Sequence, residues 1–568
     1  MSNTFEIGLV GAGAISAGAY TGGVIDFMTY ALDMWYEVKQ TDHDSVPPHD
    51  VKISVFSGAS AGGITAALAA GYLGSDQPPI TNKTDAANNK GKNKLFDSWV
   101  ERIDIASLLE KRDLPDKNSK VVSLLDSTIL SEIANSGLDI KPRKIRRPYV
   151  AENFNLLLTV TNLRGVPYEI KFNKEEDYAH HTMALHADYV HFRISDTEPD
   201  DQPDCYTLTW ADLDTAHPNK EKLKLSALAS SAFPLGLEPH TLDHLIPGNG
   251  NTDLYSARKW PIPTPDSHDP HKCVSAETIP VNWGVMPPNY HFNYQCVDGG
   301  MMNNEPLELA RKIFAESEGQ NIREDEFADK AVLLIDPFPS GSMFDPEYKD
   351  APDLLGIAIK VFDALKNQVR FKPDELMRAT KESVYSRFLI APSRDGELYP
   401  IACGSLGGFG GFLKREFRSH DYFLGRRNAQ SFLRNHFVLP ENNPLFSDPW
   451  WDETKRQEYC ACDKDGKPKL VEGGRRLLPI IPLVNEAKAK KCQKPDWPCY
   501  KSEELSELVK RVEGRVDTVL SHLVGQYFER NNFLVRFVAK IVAKRKKKDI
   551  VEWVKFKITK DLKKMELM

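Results

Sequence analysis

Cysteine is scarce in this chain, eight in 568 residues, too few for the disulfide framework of a secreted scaffold. Cys460 and Cys462, with Cys492 and Cys499 downstream, have C-x-C and C-x6-C spacings that match none of the familiar zinc modules, so no metal site is expected. Long hydrophobic runs are missing as well: no stretch of about 18 uncharged apolar residues occurs, which removes a membrane-spanning helix from the expectations. Positive charge in excess is absent. The formal net charge is −7, and a general nucleic-acid binder needs a basic surface, so no nucleic-acid partner is expected. The first residues, MSNTFEIGLVGAGA, carry neither the basic stretch nor the cleavage site of a secretory signal. We therefore expect a cytoplasmic protein with reduced thiols. Internal repeats are lacking too.

What is present describes a folded protein. Hydrophobic residues make up 41% and charged residues 27%, ordinary values that exclude wholesale disorder. The length exceeds one ordinary core and implies several domains or large insertions. FEIGLVG (5–11) reads as a buried strand, followed by a Gly/Ala turn and a helix carrying Val24, Phe27, Met28, Ala31, Leu32 and Trp35 at helical spacing. FNLLLTV (154–160) and AVLLID (331–336) are further buried strands, and Tyr168–Phe172 is placed as a partner of 154–160 after the Gly165-Val166-Pro167 turn. Residues 75–95 and 240–290 read as insertions, the first an exposed loop. Strands alternating with helices predict an α/β fold with a mainly parallel sheet covered on both faces. From about 340 onward the pattern turns helical, with an irregular segment at 437–500 and a basic tail at 533–568. The division expected is 1–340 and 341–568.

The most informative run is VKISVFSGASAGGITAALAAGYL (51–73), a strand, a small-residue turn and a helix. It places Ser60 between Gly58 and Gly62 on a nucleophile elbow, a sharp turn that only small neighbours permit. There the hydroxyl is exposed near the positive end of a helix dipole, where the oxyanion of an acyl-transfer intermediate is stabilised. A serine hydroxyl needs a base. The best placed is Asp298 in QCVDGGMMNNEP (295–306), where Gly299 and Gly300 permit a turn that aims the carboxylate back across the sheet edge. The turn after the first strand, Gly11 to Gly18, offers backbone amides for an oxyanion, with Gly11, Gly13, Ala14 and Gly18 as candidates. Its G-x-G-x-x-S pattern also suggests dinucleotide binding. That reading wants a second strand ending in an acidic residue, and here the next strand ends at Ser57-Gly58.

A glycine-rich turn after the first strand, G-x-S-x-G after the second and a distal D-G-G, in this order, resemble the patatin-like phospholipases. The helix ending SSAFPLGLEP (230–239) is similar to the family's segment between serine and aspartate. The resemblance covers roughly residues 5–340. It implies an α/β-hydrolase-related three-layer sandwich and a histidine-free dyad in which Ser60 attacks an acyl ester and Asp298 is the base. It also implies a phospholipid or related lipid substrate and no cofactor. The first motif departs from the family pattern, with Ala17 where a basic residue is usual, and this leaves the identity of the oxyanion donors open. A catalytically silent lipid-binding or scaffolding protein is the alternative.

His180, His181, His186 and His191 cluster without carboxylates at ligand spacing and read as surface or packing residues. His420-Asp421, in REFRSHDYFLGRR, is the rival for a histidine-dependent mechanism. It is assigned here to a helix beside the sheet with an exposed basic face, behind the glycine loop CGSLGGFGGFLKREFR (403–418). In 544–564 ten Lys/Arg stand against three acids, with Trp553, Phe556 and Ile558 interleaved. Such a tail fits peripheral contact with the inner membrane surface.

Overall fold

The computed structural model describes residues 3–116, 118–171, 180–198, 204–246, 254–256, 258, 260–265, 273–287, 289–315, 327–339, 357, 360, 364, 368, 385–463, 465–471, 473–528 and 533–568. Its centre is a nine-stranded sheet. The strands are β1 (Thr4–Gly11), β2 (Asp50–Gly58), β3 (Val150–Lys171), β4 (His180–Ser195), β5 (Tyr206–Thr209), β6 (His240–Ile246), β9 (Tyr290–Asp298), β10 (Lys330–Ile335) and β11 (Arg387–Ile390). They lie in the order β11-β10-β1-β2-β3-β4-β5, with β9 on β3 and β6 on β9. Pairing is parallel from β11 through β3 and again between β4 and β5; it is antiparallel for β3 with β4, β3 with β9, and β6 with β9. The apolar runs that mark β1, β2 and β10 are buried along nearly their whole length, as parallel strands covered on both faces must be. β7 (Trp260–Pro265) pairs with β8 (Cys273–Ile279), and β12 (Val438–Pro440), β14 (Arg475–Pro479) and β13 (Leu470–Val471) form a small third sheet.

Helices cover the sheet. α1 (Gly18–Thr41) and α2 (Ala61–Leu73) follow β1 and β2 directly; α3 (Pro218–Ser230), α4 (Leu307–Ala315) and α5 (Arg415–Asn435) come later, and α6 (Ser502–Phe528) with α7 (Phe533–Lys564) close the chain. Val24, Phe27, Met28, Ala31, Leu32 and Trp35 of α1 are all buried. α5 packs along α1, so the region beyond residue 340 shares the main core and adds β11 to its sheet.

Several local expectations change. Residues 154–160 and 168–171 do not pair; both belong to β3, which runs past a bulge between Thr161 and Val166 and takes β4 as its antiparallel partner. The Gly165-Val166-Pro167 triplet therefore makes no turn: residues 162–165 bulge out against the single residue His186, and Val166 and Pro167 are back in register with Leu185 and Ala184. Phe172 lies outside the described residues. The 75–95 loop is not simply exposed. It contains a helical turn at Lys83–Asn88, and Ile80 and Asn93 are buried because both bind the carboxylate of Asp26 on α1. Within 240–290, residues 240–246 are a strand of the central sheet, and 437–500 carries the small third sheet. The helix expected to end in SSAFPLGLEP (230–239) stops at Ser230.

Candidate active site

Register brings the serine and the aspartate together. Gly58, the last residue of β2, lies opposite Leu158 of β3. Two residues further along β3, Val160 lies opposite Asp298, the last residue of β9. With β4 on the other edge of β3, β9 takes up the edge where β2 leaves it, and the two strand ends converge. Ser60 follows with φ 54° and ψ −125°, a conformation that is strained for any residue but glycine and that throws the side chain out of the turn. Its hydroxyl donates to Asp298 Oδ2 at 2.6 Å, and both residues are buried. The other carboxylate oxygen, Oδ1, accepts the Gly300 amide at 2.7 Å, which fixes the plane of the group.

The turn closes only because glycines let backbones touch. A Cβ on Gly62 would lie 2.1 Å from the Gly11 carbonyl oxygen, and one on Gly58 would lie 2.3 Å from the Gly62 carbonyl oxygen. Gly299 is equally confined, since its Cβ would meet the Thr159 carbonyl oxygen at 2.2 Å.

The glycine-rich turn lies beside the serine, and a Cβ on Gly13 would stand 3.0 Å from Ser60 Cβ. Its amides differ in what they are free to do. The Gly11 carbonyl accepts the Ala59 amide at 3.1 Å, and the Gly13 amide donates to the Asn304 carbonyl at 3.1 Å. Among the described residues the Ala14 and Ile15 amides have no acceptor. Ile15 sits at φ 52°, a strained position for a β-branched residue. Gly18 begins α1 against the Trp99 ring. Ala61, the residue after Ser60, opens α2, where the first amides of a helix lack internal partners.

Three groups at this site were given no role from the sequence, although residues 230–232 lie in the SSAFPLGLEP segment already singled out. Ser230 Oγ accepts the Ser60 amide at 3.1 Å, and the Ala232 carbonyl accepts the Asp298 amide at 2.9 Å, so the SSA of residues 230–232 braces both partners. Asn304 binds the Gly13 amide through its carbonyl while its side chain lies against Gly13 and Gly300. Phe409 and Phe412, from the glycine loop before α5, line the cavity at Ser60 together with Ile15, Trp99 and Phe233. Only that loop was marked by its composition. The cavity is apolar and about 40 Å³ in volume, and a second one of about 20 Å³ continues beyond Ile64, Trp99, Ile103 and Leu130, which border both. The pair is narrow, with room for a few water molecules.

His420 and Asp421 lie elsewhere. The histidine Nδ1 is 2.7 Å from Asp421 Oδ1, and the aspartate accepts the Ala402 and Cys403 amides at 2.8 Å each. Neither lines the cavity at Ser60. The basic face expected on this helix is divided, with Arg415 and Arg434 exposed and Arg427 half-buried. Arg418 and Arg426 are buried, Arg418 donating to the Val100 and Gly411 carbonyls and Arg426 pairing with Asp26. Burial and the Asp421 carboxylate push the neighbouring Cys403 thiol well up, so it stays a neutral thiol. Among the described residues no cysteine is disulfide-bonded, and no group of three His, Cys, Asp or Glu is placed to hold a metal ion. No helix among them is long and apolar enough to cross a membrane.

The fold and site together are a mainly parallel α/β sheet carrying a strained serine elbow that faces a buried carboxylate. Residues 9–255 match the patatin-like phospholipase family, a range that contains Ser60 and stops short of Asp298. A protein of Sinorhizobium fredii (strain NBRC 101917 / NGR234), carrying the name uncharacterized protein y4iI, is 35% identical over 559 residues, which span 92% of this chain and 76% of that one. The chain belongs to the patatin-like phospholipase family, a family of lipid acyl hydrolases.

Proposed function

We propose that the protein is a serine hydrolase that cleaves acyl esters of phospholipids or related lipids through a Ser60–Asp298 dyad. The observation that carries this reading is the 2.6 Å hydrogen bond from the Ser60 hydroxyl to Asp298 Oδ2 at a buried, strained elbow. Ser60 Oγ attacks the ester carbonyl carbon while its proton passes to Asp298 Oδ2. The oxyanion is held by the Ala61 amide at the α2 N-terminus and by the Ala14 and Ile15 amides of the glycine-rich turn. Collapse breaks the ester bond, and the departing alcohol takes the proton from Asp298. A water then delivers its proton to the same carboxylate and attacks the acyl-serine; the acyl–oxygen bond breaks, Ser60 Oγ takes that proton back from Asp298, and a fatty acid is released. No step needs a metal or a cofactor. In this reading residues 1–340 carry the dyad and the amides, and the 341–568 region supplies Phe409 and Phe412 as one wall of the acyl path.

The narrowness of the cavity favours a second reading, a lipid-binding or scaffolding protein without turnover. A fluorophosphonate probe separates the two because it reacts with an activated serine only. We expect stoichiometric labelling of the wild type and none of Ser60→Ala; an unlabelled wild type would establish the silent reading.

A further inference from the structure

The last helix turns one side inward. Ile558 and Leu562 of α7 are buried with Leu505, Leu508 and Val512 of α6, Val551 is buried on the same side, and Lys547 pairs across with Glu513 and Asp517 at 3.2 Å each. The opposite side is unlike an ordinary solvated surface. Trp553 and Phe556 are 61% and 59% exposed, with Ile550 exposed beside them, and the three-residue spacing puts all three on one stripe. Seven exposed lysines surround them, at positions 546, 548, 555, 557, 560, 563 and 564. Lys557 Nζ stands 5.7 Å from the centroid of the Trp553 ring. Of the three acids of this stretch, Asp549 and Glu552 are exposed among the lysines, and the half-buried Asp561 accepts the Leu406 amide through its carboxylate.

We propose that this outer face of α7 docks on an anionic lipid bilayer, with Trp553 and Phe556 entering the headgroup region and the lysines meeting lipid phosphates. The lysines require a negative partner. The large rings stand out from a convex helix, and they fit a surface that yields around them. Docking here is tied to the chemistry at Ser60, because Asp561 on the same helix holds Leu406, and Leu406 belongs to the segment whose Phe409 and Phe412 wall the cavity. A bilayer bound to α7 therefore contacts the element that anchors that wall.

Flotation of the full-length protein with phosphatidylcholine vesicles, and with equimolar phosphatidylcholine and phosphatidylglycerol vesicles, tests the proposal directly. Wild type should float with the anionic vesicles, much less with the neutral ones, and less as salt is added. The Trp553→Ala/Phe556→Ala and Lys557→Glu/Lys560→Glu variants should each lose roughly tenfold or more in partitioning. Their melting temperatures and hydrolysis of a soluble short-chain ester should stay at wild-type levels, since all four positions are exposed. Equal flotation of wild type and both variants, or no flotation at low salt, overturns the proposal. A dimer that forms with concentration and is abolished by both variants, without vesicle binding, would assign the face to a second copy instead. The measurement reads binding and not turnover: wild type that floats but cleaves no ester would sink the hydrolase reading and leave the docking face standing.

Discussion

Asp298→Asn is the sharpest perturbation of this site because it changes one atom's chemistry and almost nothing of its shape. The remaining oxygen can still accept the Gly300 amide, found at 2.7 Å. The backbone bonds to the Ala232 carbonyl at 2.9 Å and from the Thr161 hydroxyl at 2.8 Å do not involve the side chain at all. What changes is the atom 2.6 Å from Ser60 Oγ: an amide nitrogen there donates to the hydroxyl and cannot take its proton. General-base assistance is worth about 10²–10⁴ in rate, which corresponds to about 3–5 kcal/mol of barrier. The oxyanion amides are backbone groups and survive the change. We expect kcat on a soluble chromogenic ester to fall by about 10³, with KM within a few-fold and fluorophosphonate labelling slowed in parallel. The exchange of one charged hydrogen bond should cost no more than about 3 kcal/mol of stability. Steady-state kinetics beside a thermal melt decide the matter. A variant that melts like the wild type and keeps kcat within tenfold would refute the role given to the carboxylate.

Gly62→Ala should be costly in two ways, since its Cβ would meet the Gly11 carbonyl oxygen at 2.1 Å and the elbow must part from β1; about 1–3 kcal/mol of stability and about 10² in kcat should be lost, and a normal melt with normal turnover would contradict the close approach. Asp26→Asn strands the buried Arg426 guanidinium and weakens the anchors of Ile80, Asn93 and Tyr72; denaturant titration should show a loss of about 3–5 kcal/mol, and a loss below 1 kcal/mol would mean the pair is relieved by water. Phe412→Ala widens the apolar path, so kcat/KM should rise for long-chain esters relative to butyrate, and an unchanged ratio would remove this ring from the acyl path. Burial lowers the pKa of His49, His191 and His244 to about 4. Below about pH 6.5 the unfolded chain takes up protons that the folded state refuses until about pH 4, so these groups make stability fall across that window and leave it unaffected above; each contributes a loss of about 2 kcal/mol at pH 5. Urea midpoints at pH 7 and pH 5 check this, and a His49→Gln variant should show the smaller drop.

The sequence by itself determined the elements around Ser60. Apolar runs of strand length, a block of Gly and Ala from Gly58 to Gly63 and an Ala-rich helix leave little choice locally, because only small residues tolerate backbones at such distances. Asp298 was legible as a turn-borne carboxylate, and its pairing with Ser60 as what the family resemblance implies; their hydrogen-bond distance depends on β9 taking the edge of β3 that β2 vacates. Tertiary structure alone decided which amides beside the serine remain open, with Asn304 claiming that of Gly13. It also decided that Phe409 and Phe412 come from several hundred residues away to wall the cavity, and that Arg418 and Arg426, written as a basic face, are buried on carbonyls and on Asp26. Strand and turn preferences act between neighbours in the chain, whereas the burial of a charge or the meeting of two strand ends depends on partners that only the packed core supplies.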